Sequence, residues 1–250
     1  MRGGRSVIQS LHQSGSLKVL FPRSSSDLQA VMINTAGGVT GGDRFEQVFT
    51  AGATSELTLT TQAAERAYRA QPGQIGRIAT HLKVGPNARA NWLPQETILF
   101  DGRAMQRTLT VNLADTARLT FCEPLVFGRH TMGETLREGS FHDKVSITRS
   151  DHLLYLDAIK LDGATTEHLS QVAVADGAGA MVSLVHVGPD AEGHLAAVRH
   201  LLPTTGGASL VLPDVLVMRA LAPDSFALRQ FLCPILTRLT GRALPRPWMI

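Results

Sequence analysis

Most of the chain alternates short apolar runs rich in threonine with turns of glycine, asparagine, aspartate and proline. Short runs of β-branched and apolar residues between such turns predict strands. Clear examples are 57–61 (LTLTT) and 109–113 (LTVNL), and further strands are predicted at 144–149, 153–159, 171–174, 181–187 and 214–220. The pattern therefore predicts a mainly β protein.

A faint repeat of about 30 residues runs through the first half of the chain, and repeats of this length are typical of stacked units. In each unit a strand ends in a short turn, at 51–55, 84–88 and 113–117, and a second strand follows. Gln62 and Gln95 stand at the same offset from their turn glycines. The repeat favours an elongated, stacked, β-solenoid-like scaffold over a compact barrel, and chance similarity among hairpins is the alternative.

Helical periodicity is concentrated near the C-terminus, where it predicts two α-helices. The first covers 192–202 and stops at a proline, and the second follows Asp224 or Ser225 and stops at Gly241. Pro234 lies inside the second helix and is expected to kink or split it. The tail 245–248 is too rich in proline for a helix. No long linker divides the chain, which predicts one domain over 1–250.

Composition narrows the class of protein further. The 250 residues are 44% hydrophobic and 18% charged, which is typical of a globular protein. The net charge is only +3, and the arginines are scattered, whereas nucleic-acid binders usually carry a clustered basic stripe. The start has no apolar signal segment, and no apolar run is as long as a membrane span. With two distant cysteines and no CxxC, these features predict a cytoplasmic protein without nucleic-acid or membrane partners.

Residues 34–43, which read NTAGGVTGGD, hold two glycine pairs directly after an apolar run. Glycine-rich turns after strands often bind phosphate, but a P-loop also needs a lysine followed by serine or threonine. None of the four lysines follows this turn, and the next residues, 45–49, form a strand pattern where a Rossmann unit needs a helix. The motif therefore predicts a close-packed turn between strands.

Local signatures of catalysis or tight metal binding are missing from the sequence. None of the nine histidines belongs to an HExxH, HxH or zinc-type Cys/His cluster, and there is no GxSxG elbow. The segment 123–134 does combine Glu123, His130 and Glu134 with Met132. Imidazole and carboxylate suit Ni²⁺ and similar cations. A bulged loop between strands is the structural alternative.

Several motifs, in this order along the chain, carry a resemblance to one family. They are 34–43 (NTAGGVTGGD), 60–69 (TTQAAERAYR), 92–102 (WLPQETILFDG), 127–134 (FGRHTMGE), 161–163 (LDG) and the tail 245–248 (PRPW). The set resembles the UreD (UreH) family of urease accessory proteins from about residue 15 to the C-terminus. Residues 65–67 (ERA) and Pro234 depart from the family pattern, which bears on the partner surfaces.

The resemblance implies a β-rich scaffold with C-terminal helices and no catalysis of its own. Family members bind the accessory protein UreF and, through it, the GTPase UreG, and the assembly docks on apo-urease to help deliver nickel. The resemblance thus implies Ni²⁺ in transit through an internal passage, no tightly bound cofactor, and GTP only on the partner. A β-rich carbohydrate-active enzyme or binding module unrelated to urease is the alternative.

A passage that moves Ni²⁺ without trapping it needs few ligands at a time, since nitrogen and sulfur cages hold such ions tightly. On this reasoning the transit candidates are Asp43, Glu123, His130 and Glu134. Asp43 also has a competing role as a turn former. The candidates for partner binding are Phe231, Arg246 and Trp248, because aromatic and arginine side chains tend to carry interface energy.

Overall fold

The structure, a computed structural model, describes residues 5–23, 27–129 and 132–249. It consists of two β-sheets packed face to face, with two of its three α-helices on the outer face of the larger sheet. The larger sheet contains, in spatial order, β1 (Leu17–Leu20), β2 (Leu28–Asn34), β4 (Glu56–Thr61), β7 (Arg89–Leu93), β10 (Arg118–Phe127), β13 (Ala180–Val187), β15 (Val215–Ala222) and β14 (Gly206–Leu212). In the same sheet β8 (Thr97–Leu99) also pairs with β10, and β5 (Glu65–Ala67) pairs with β8. The smaller sheet has the order β12 (His152–Asp162), β11 (Ser140–Arg149), β9 (Ala104–Leu113), β6 (Gly76–Val84) and β3 (Arg44–Ala51).

The chain passes back and forth between the two sheets, and each passage adds a parallel strand next to the previous one. In the larger sheet Leu57, Ala90 and Leu119 are in register on β4, β7 and β10. The turns stack as well: the Thr54 amide donates to the Pro86 carbonyl (2.9 Å), and the Asn87 amide to the Thr116 hydroxyl (2.9 Å). This stacking is the origin of the sequence repeat, and it confirms the mainly β, β-solenoid-like scaffold.

Strand β10 lies at the centre of the molecule and is buried on both faces, which explains its nearly continuous apolar sequence. Phe121 points into the core between the sheets, whereas its neighbour Cys122 packs in the core beneath the helices. Because side chains alternate along a strand, the odd-numbered positions of β10 face the smaller sheet and the even-numbered ones face the helices. This alternation decides which polar side chains of β10 face the smaller sheet and which face the helices.

The structure corrects the predicted strand at 171–174. These residues form turns that follow α1 (Thr165–Ser170), a short helix that the sequence did not predict. The Val174 amide donates to the Gln171 carbonyl (2.9 Å), and the side chain of Val172 is 82% exposed. Two valines that alternate with Gln171 and Ala173 therefore resembled a strand, although no sheet lies there for them to join.

Helices α2 (Ala191–Leu201) and α3 (Ser225–Thr240) confirm the two predicted C-terminal helices, and Gly241 ends α3 in a left-handed conformation (φ 66°). Of the kink or split expected at Pro234, the split does not occur, because α3 is continuous through this residue. Pro234 is exposed, so the carbonyl that loses its N–H partner can bond to water, and the buried face of α3 offsets the cost of about 3 kcal/mol.

The tail, predicted to lack helix, forms a 3-10 turn over Arg246–Met249. A proline costs little there, because the first turn of a helix leaves its N–H groups unbonded in any case. Among the described residues no helix has both the length and the apolarity that crossing a lipid bilayer requires.

Candidate functional site

A buried group of charged side chains lies between the two sheets. Arg107 on β9 and Asp143 on β11 are direct neighbours in the parallel register of the smaller sheet, and both point inward. The guanidinium binds the carboxylate through two bonds, Nε to Oδ1 (3.0 Å) and Nη2 to Oδ2 (2.5 Å). Its third nitrogen, Nη1, donates to the hydroxyl of Thr97 (3.0 Å). The strand register therefore builds this ion pair.

A second carboxylate, that of Glu123 on β10, reaches the same arginine from the opposite sheet. Its Oε2 lies 2.8 Å from Nη2 of Arg107, and its Oε1 accepts a hydrogen bond from the indole of Trp92 (3.1 Å). The contact between Oε2 and Nη2 is an ion pair without hydrogen-bond geometry, and Oε2 has no hydrogen-bond partner among the described residues. One arginine thus serves two carboxylates.

The electrostatics of this group favour a proton on Glu123. Burial raises the pKa of Glu123 to about 7, and the charge of Asp143 adds to the rise, while Arg107 opposes it. Burial lowers the pKa of Arg107, but the two carboxylates outweigh it and raise that pKa above its usual value. At neutral pH Glu123 can therefore gain or lose a proton, whereas Arg107 stays charged.

A narrow cavity adjoins the two carboxylates. Its volume, counted as the space open to the centre of a water molecule, is about 10 Å³. This is enough for about one water molecule. Asp157 and Ser183 line it together with Glu123 and Asp143. Arg219, about half exposed, is ion-paired with Asp157 and donates to the Ser183 hydroxyl (3.1 Å). Polar side chains therefore lead from the buried carboxylates towards the surface.

Polar contacts also extend from Arg107 in the other direction. Glu65 on β5 is a direct register neighbour of Thr97 on β8, and its carboxylate interacts electrostatically with Arg107. Burial raises the pKa of Glu65, although hydrogen bonds from the Arg66 backbone and from Asn34 oppose the rise. Asn34 begins the glycine motif, and its Nδ2 donates to Oε2 of Glu65 (3.2 Å). The polar side chains thus reach from the glycine motif through the interior to the opposite side.

The glycine motif forms a tight turn, as predicted. A Cβ atom on Gly38 would lie 2.3 Å from the ring of Tyr68, so only glycine fits there. Asp43 accepts a hydrogen bond from the Thr40 amide (2.8 Å) through its side chain. Within the described residues it shares no hydrogen bond or ion pair with Glu123 or Glu134. The structure therefore gives Asp43 a role as a turn former.

Glu134 lies apart from the buried group, in the loop after β10. Its carboxylate accepts from the backbone and the guanidinium of Arg129 (3.0 Å each) and from the Asp101 amide (3.2 Å). Burial raises the pKa of Glu134, but these hydrogen bonds outweigh it and hold the pKa below its usual value. The loop is thus organised around Glu134, while His130 lies outside the described residues.

The three predicted partner residues differ in exposure. Phe231 is half-buried and lines an open apolar groove between the end of α2 and α3, and Arg246 is exposed. Trp248 is only 4% exposed, and its indole donates to the Leu93 carbonyl (3.0 Å). The ring of Trp248 therefore belongs to the core, and the other two residues lie where a partner could touch them.

Sequence reasoning missed most of the buried group, namely Arg107, Asp143, Asp157 and Glu65. A signal was present, however. On β9 the inward positions are Met105, Arg107, Leu109, Val111 and Leu113, and on β11 they are Phe141, Asp143, Val145 and Ile147. One charged residue in the apolar phase of each strand marks a buried polar position, because an isolated buried charge is costly and needs a partner.

Comparison with known proteins agrees with this architecture. The profile of the family described as UreD urease accessory protein matches residues 1–249. A urease accessory protein UreD of Ruegeria pomeroyi is 51% identical over 249 residues, covering 99% of this chain and 97% of that protein. Those of Methylobacterium sp. and Chelativorans sp. are 42% and 41% identical and cover 98% and 100% of this chain, and 90% and 91% of their own lengths. The chain belongs to the UreD family of urease accessory proteins.

Proposed function

We propose that this protein is a scaffold that works with UreF and the GTPase UreG, docks on apo-urease and assists nickel insertion into its metallocentre. We further propose that Ni²⁺ passes between the two sheets along the buried carboxylates. The observation that supports this route is the sharing of one arginine by Glu123 and Asp143 next to a cavity. As an accessory protein it has no catalytic step of its own, and GTP is hydrolysed on the partner.

The chemistry of these carboxylates suits transit better than storage. Oxygen ligands hold Ni²⁺ more weakly than thiolates or a cage of imidazoles. Glu123 can release its proton as the cation arrives, because its pKa is about 7, and regain it as the cation leaves. Arg107 repels a cation at close range, which shortens its stay. The ion would meet Glu65, then Glu123 and Asp143, and then Asp157, in this order or the reverse.

The same geometry argues against the alternative of a carbohydrate-active enzyme. Glycosidases place two carboxylates about 5–9.5 Å apart on either side of a bound sugar. Here Glu123 and Asp143 meet at a single guanidinium, and the adjoining cavity holds about one water molecule. A sugar ring has no room between them.

The route is tested with the substitutions Glu123→Gln and Asp143→Asn, which keep the shape of each side chain. Each variant is co-expressed with UreF, UreG and urease, and the nickel content and activity of urease are measured. Assembly of the accessory complex on urease is followed separately by co-purification. We expect activation to fall by about 10- to 100-fold, as for the loss of groups that tune a metal site, with assembly unchanged.

Glu46→Gln is the matched control, because Glu46 is exposed on β3 of the same sheet that carries Asp143. It should activate urease like the unmodified protein. Normal activation by Asp143→Asn or Glu123→Gln would refute the route between the sheets. Glu134→Gln is the corresponding test for Glu134, and normal activation by that variant would remove it from the transit candidates.

For the partner surface we propose that UreF contacts the groove at Phe231 and the exposed Arg246. Phe231→Ala and Arg246→Ala should each weaken UreF binding, as measured by co-purification and calorimetry. Point substitutions are the better test than truncation of the tail, because truncation would also remove the buried Trp248. Undiminished UreF binding by both variants would place the interface elsewhere.

A further inference from the structure

A second group of possible metal ligands lies on the opposite face of the larger sheet. His186 is near the end of β13, and Asp190 and His194 follow it at the start of α2. One ligand atom from each residue lies within 4.8 Å of the ligand atoms of the other two. Nε2 of His186 is 3.2 Å from Oδ1 of Asp190, and Nε2 of His194 is 3.5 Å from Oδ2.

The carboxylate of Asp190 is turned towards the two imidazoles. Asp190 occupies the position that precedes the first turn of α2, where an aspartate usually accepts a hydrogen bond from an amide of that turn. Its side chain makes no such bond. Its remaining ion pair, with Arg118, is long (4.0 Å) and lies at the surface. The usual helix-capping role therefore does not explain the orientation of Asp190.

The buried histidine is held by a partner on the neighbouring strand. Thr120 on β10 is the direct register neighbour of His186, and its hydroxyl lies 3.1 Å from Nδ1 of His186. Without a metal ion, Nε2 of His186 can donate to Oδ1 of Asp190. With an ion on Nε2, the Thr120 hydroxyl can accept the proton of Nδ1 and hold the ring in place. A hydrogen bond on the far nitrogen is the usual way in which proteins orient a ligating histidine.

The second histidine is incompletely satisfied by the protein. Nδ1 of His194 is buried and has no hydrogen-bond partner among the described residues. The two rings stand edge to face with their centroids 5.6 Å apart.

We propose that His186, Asp190 and His194 form a binding site for a divalent ion of the late first transition row, Ni²⁺ or Zn²⁺. Two imidazole nitrogens and one carboxylate oxygen are suitable ligands for such ions, and three ligands leave positions open for water. The site is separate from the passage between the sheets, because Thr120 and His186 face the helix side whereas Glu123 faces the smaller sheet. The proposal does not depend on the proposed function.

The test uses the purified full-length chain without an affinity tag and the metal alone. NiSO₄ or ZnSO₄ is added, and the bound metal is counted by equilibrium dialysis with elemental analysis. We expect the unmodified protein to bind one more equivalent of metal per chain than His194→Gln or Asp190→Asn. His200→Gln is the matched control, since His200 is exposed on the same helix outside the group, and it should keep the full number.

A third variant tests the orientation of the buried ring without touching a ligand. Thr120→Val keeps the shape of the side chain and removes the hydroxyl, and it should weaken binding by about 10- to 100-fold. Circular dichroism verifies that each variant is folded. Equal stoichiometry and affinity in the unmodified protein and His194→Gln would overturn the proposal, whatever the variants do to urease activation. Absence of binding for both metals would overturn it as well.

Discussion

Two arginines in this protein, Arg107 and the partly exposed Arg229, meet carboxylates in opposite ways. Arg229 on α3 binds a single carboxylate, Glu96, through Nε (2.5 Å) and Nη2 (2.9 Å), and it also bonds to the Gln95 amide oxygen and lies over the ring of Trp248 (5.3 Å). Arg107 between the sheets faces two carboxylates, Glu123 and Asp143. The first group is balanced in charge, whereas the second has one negative charge too many.

The difference separates a structural clamp from a site that can accept a cation. The Arg229 group joins α3 and the tail to the segment that follows β7, and every charge in it has a partner. In the Arg107 group the excess charge is relieved only by a proton or by another cation. Burial raises the pKa of Glu123 to about 7, and the charge of Asp143 adds to the rise. A buried arginine alone therefore says little about function, and the number of carboxylates around it says more.

The largest expected effect is that of Arg107→Met, which leaves two buried carboxylates without a cation. Removing one partner from a buried ion pair costs about 3–5 kcal/mol. We expect the free energy of unfolding to fall by this amount at pH 7.5, as measured by urea denaturation. A loss of less than about 1 kcal/mol would mean that the carboxylates do not depend on this guanidinium.

Arg229→Met should destabilise the protein less, by about 2–3 kcal/mol, since the side chain is 23% exposed and water can partly solvate Glu96 after the change. Arg238→Met on the exposed face of the same helix is the control and should change the free energy of unfolding little. If Arg229→Met proved as costly as Arg107→Met, the contrast between the two groups would fail.

The third prediction, with a smaller expected effect, concerns how the Arg107 group makes the stability of the protein depend on pH. Because the pKa of Glu123 rises from 4.5 to about 7 on folding, the folded chain keeps a proton that the unfolded chain releases. The stabilisation that this retained proton contributes to the folded state is complete below pH about 4.5 and is lost as the pH rises through about 7. The unfolding free energy should therefore fall by about 1–3 kcal/mol more in the unmodified protein than in Glu123→Gln between pH 5 and 7.5.

The smallest expected difference is that between the unfolding free energies of the unmodified protein and Glu123→Gln at pH 5. A protonated glutamate and a glutamine have the same shape, and both can accept the indole hydrogen bond of Trp92. The unfolding free energies of Glu123→Gln and the unmodified protein should agree there within about 1 kcal/mol. A large difference at pH 5 would show that Glu123 is ionised in the folded protein, contrary to the raised pKa.

Much of the fold could be predicted because it depends on local patterns. Period-two alternation located most strands, and the repeat of turns indicated the stack. The strand predicted at 171–174 is wrong because exposed valines mimic that alternation. Of the kink or split expected at Pro234, the split is absent because packing of α3 outweighs one lost hydrogen bond. Of the predicted transit residues, only Glu123 lies in the buried group, while Asp43 and Glu134 organise turns.

The sequence by itself determined the strand content, the tight glycine turn and, through its ordered motifs, the family. These features follow from neighbouring residues, whose conformations are limited by local sterics and side-chain alternation. Only the tertiary structure brought Arg107, Glu123 and Asp143 together, because their contact depends on the register of β9 and β11 and on the packing of one sheet against the other. The same is true of His186 and Thr120, which are 66 positions apart in the chain and adjacent across two strands.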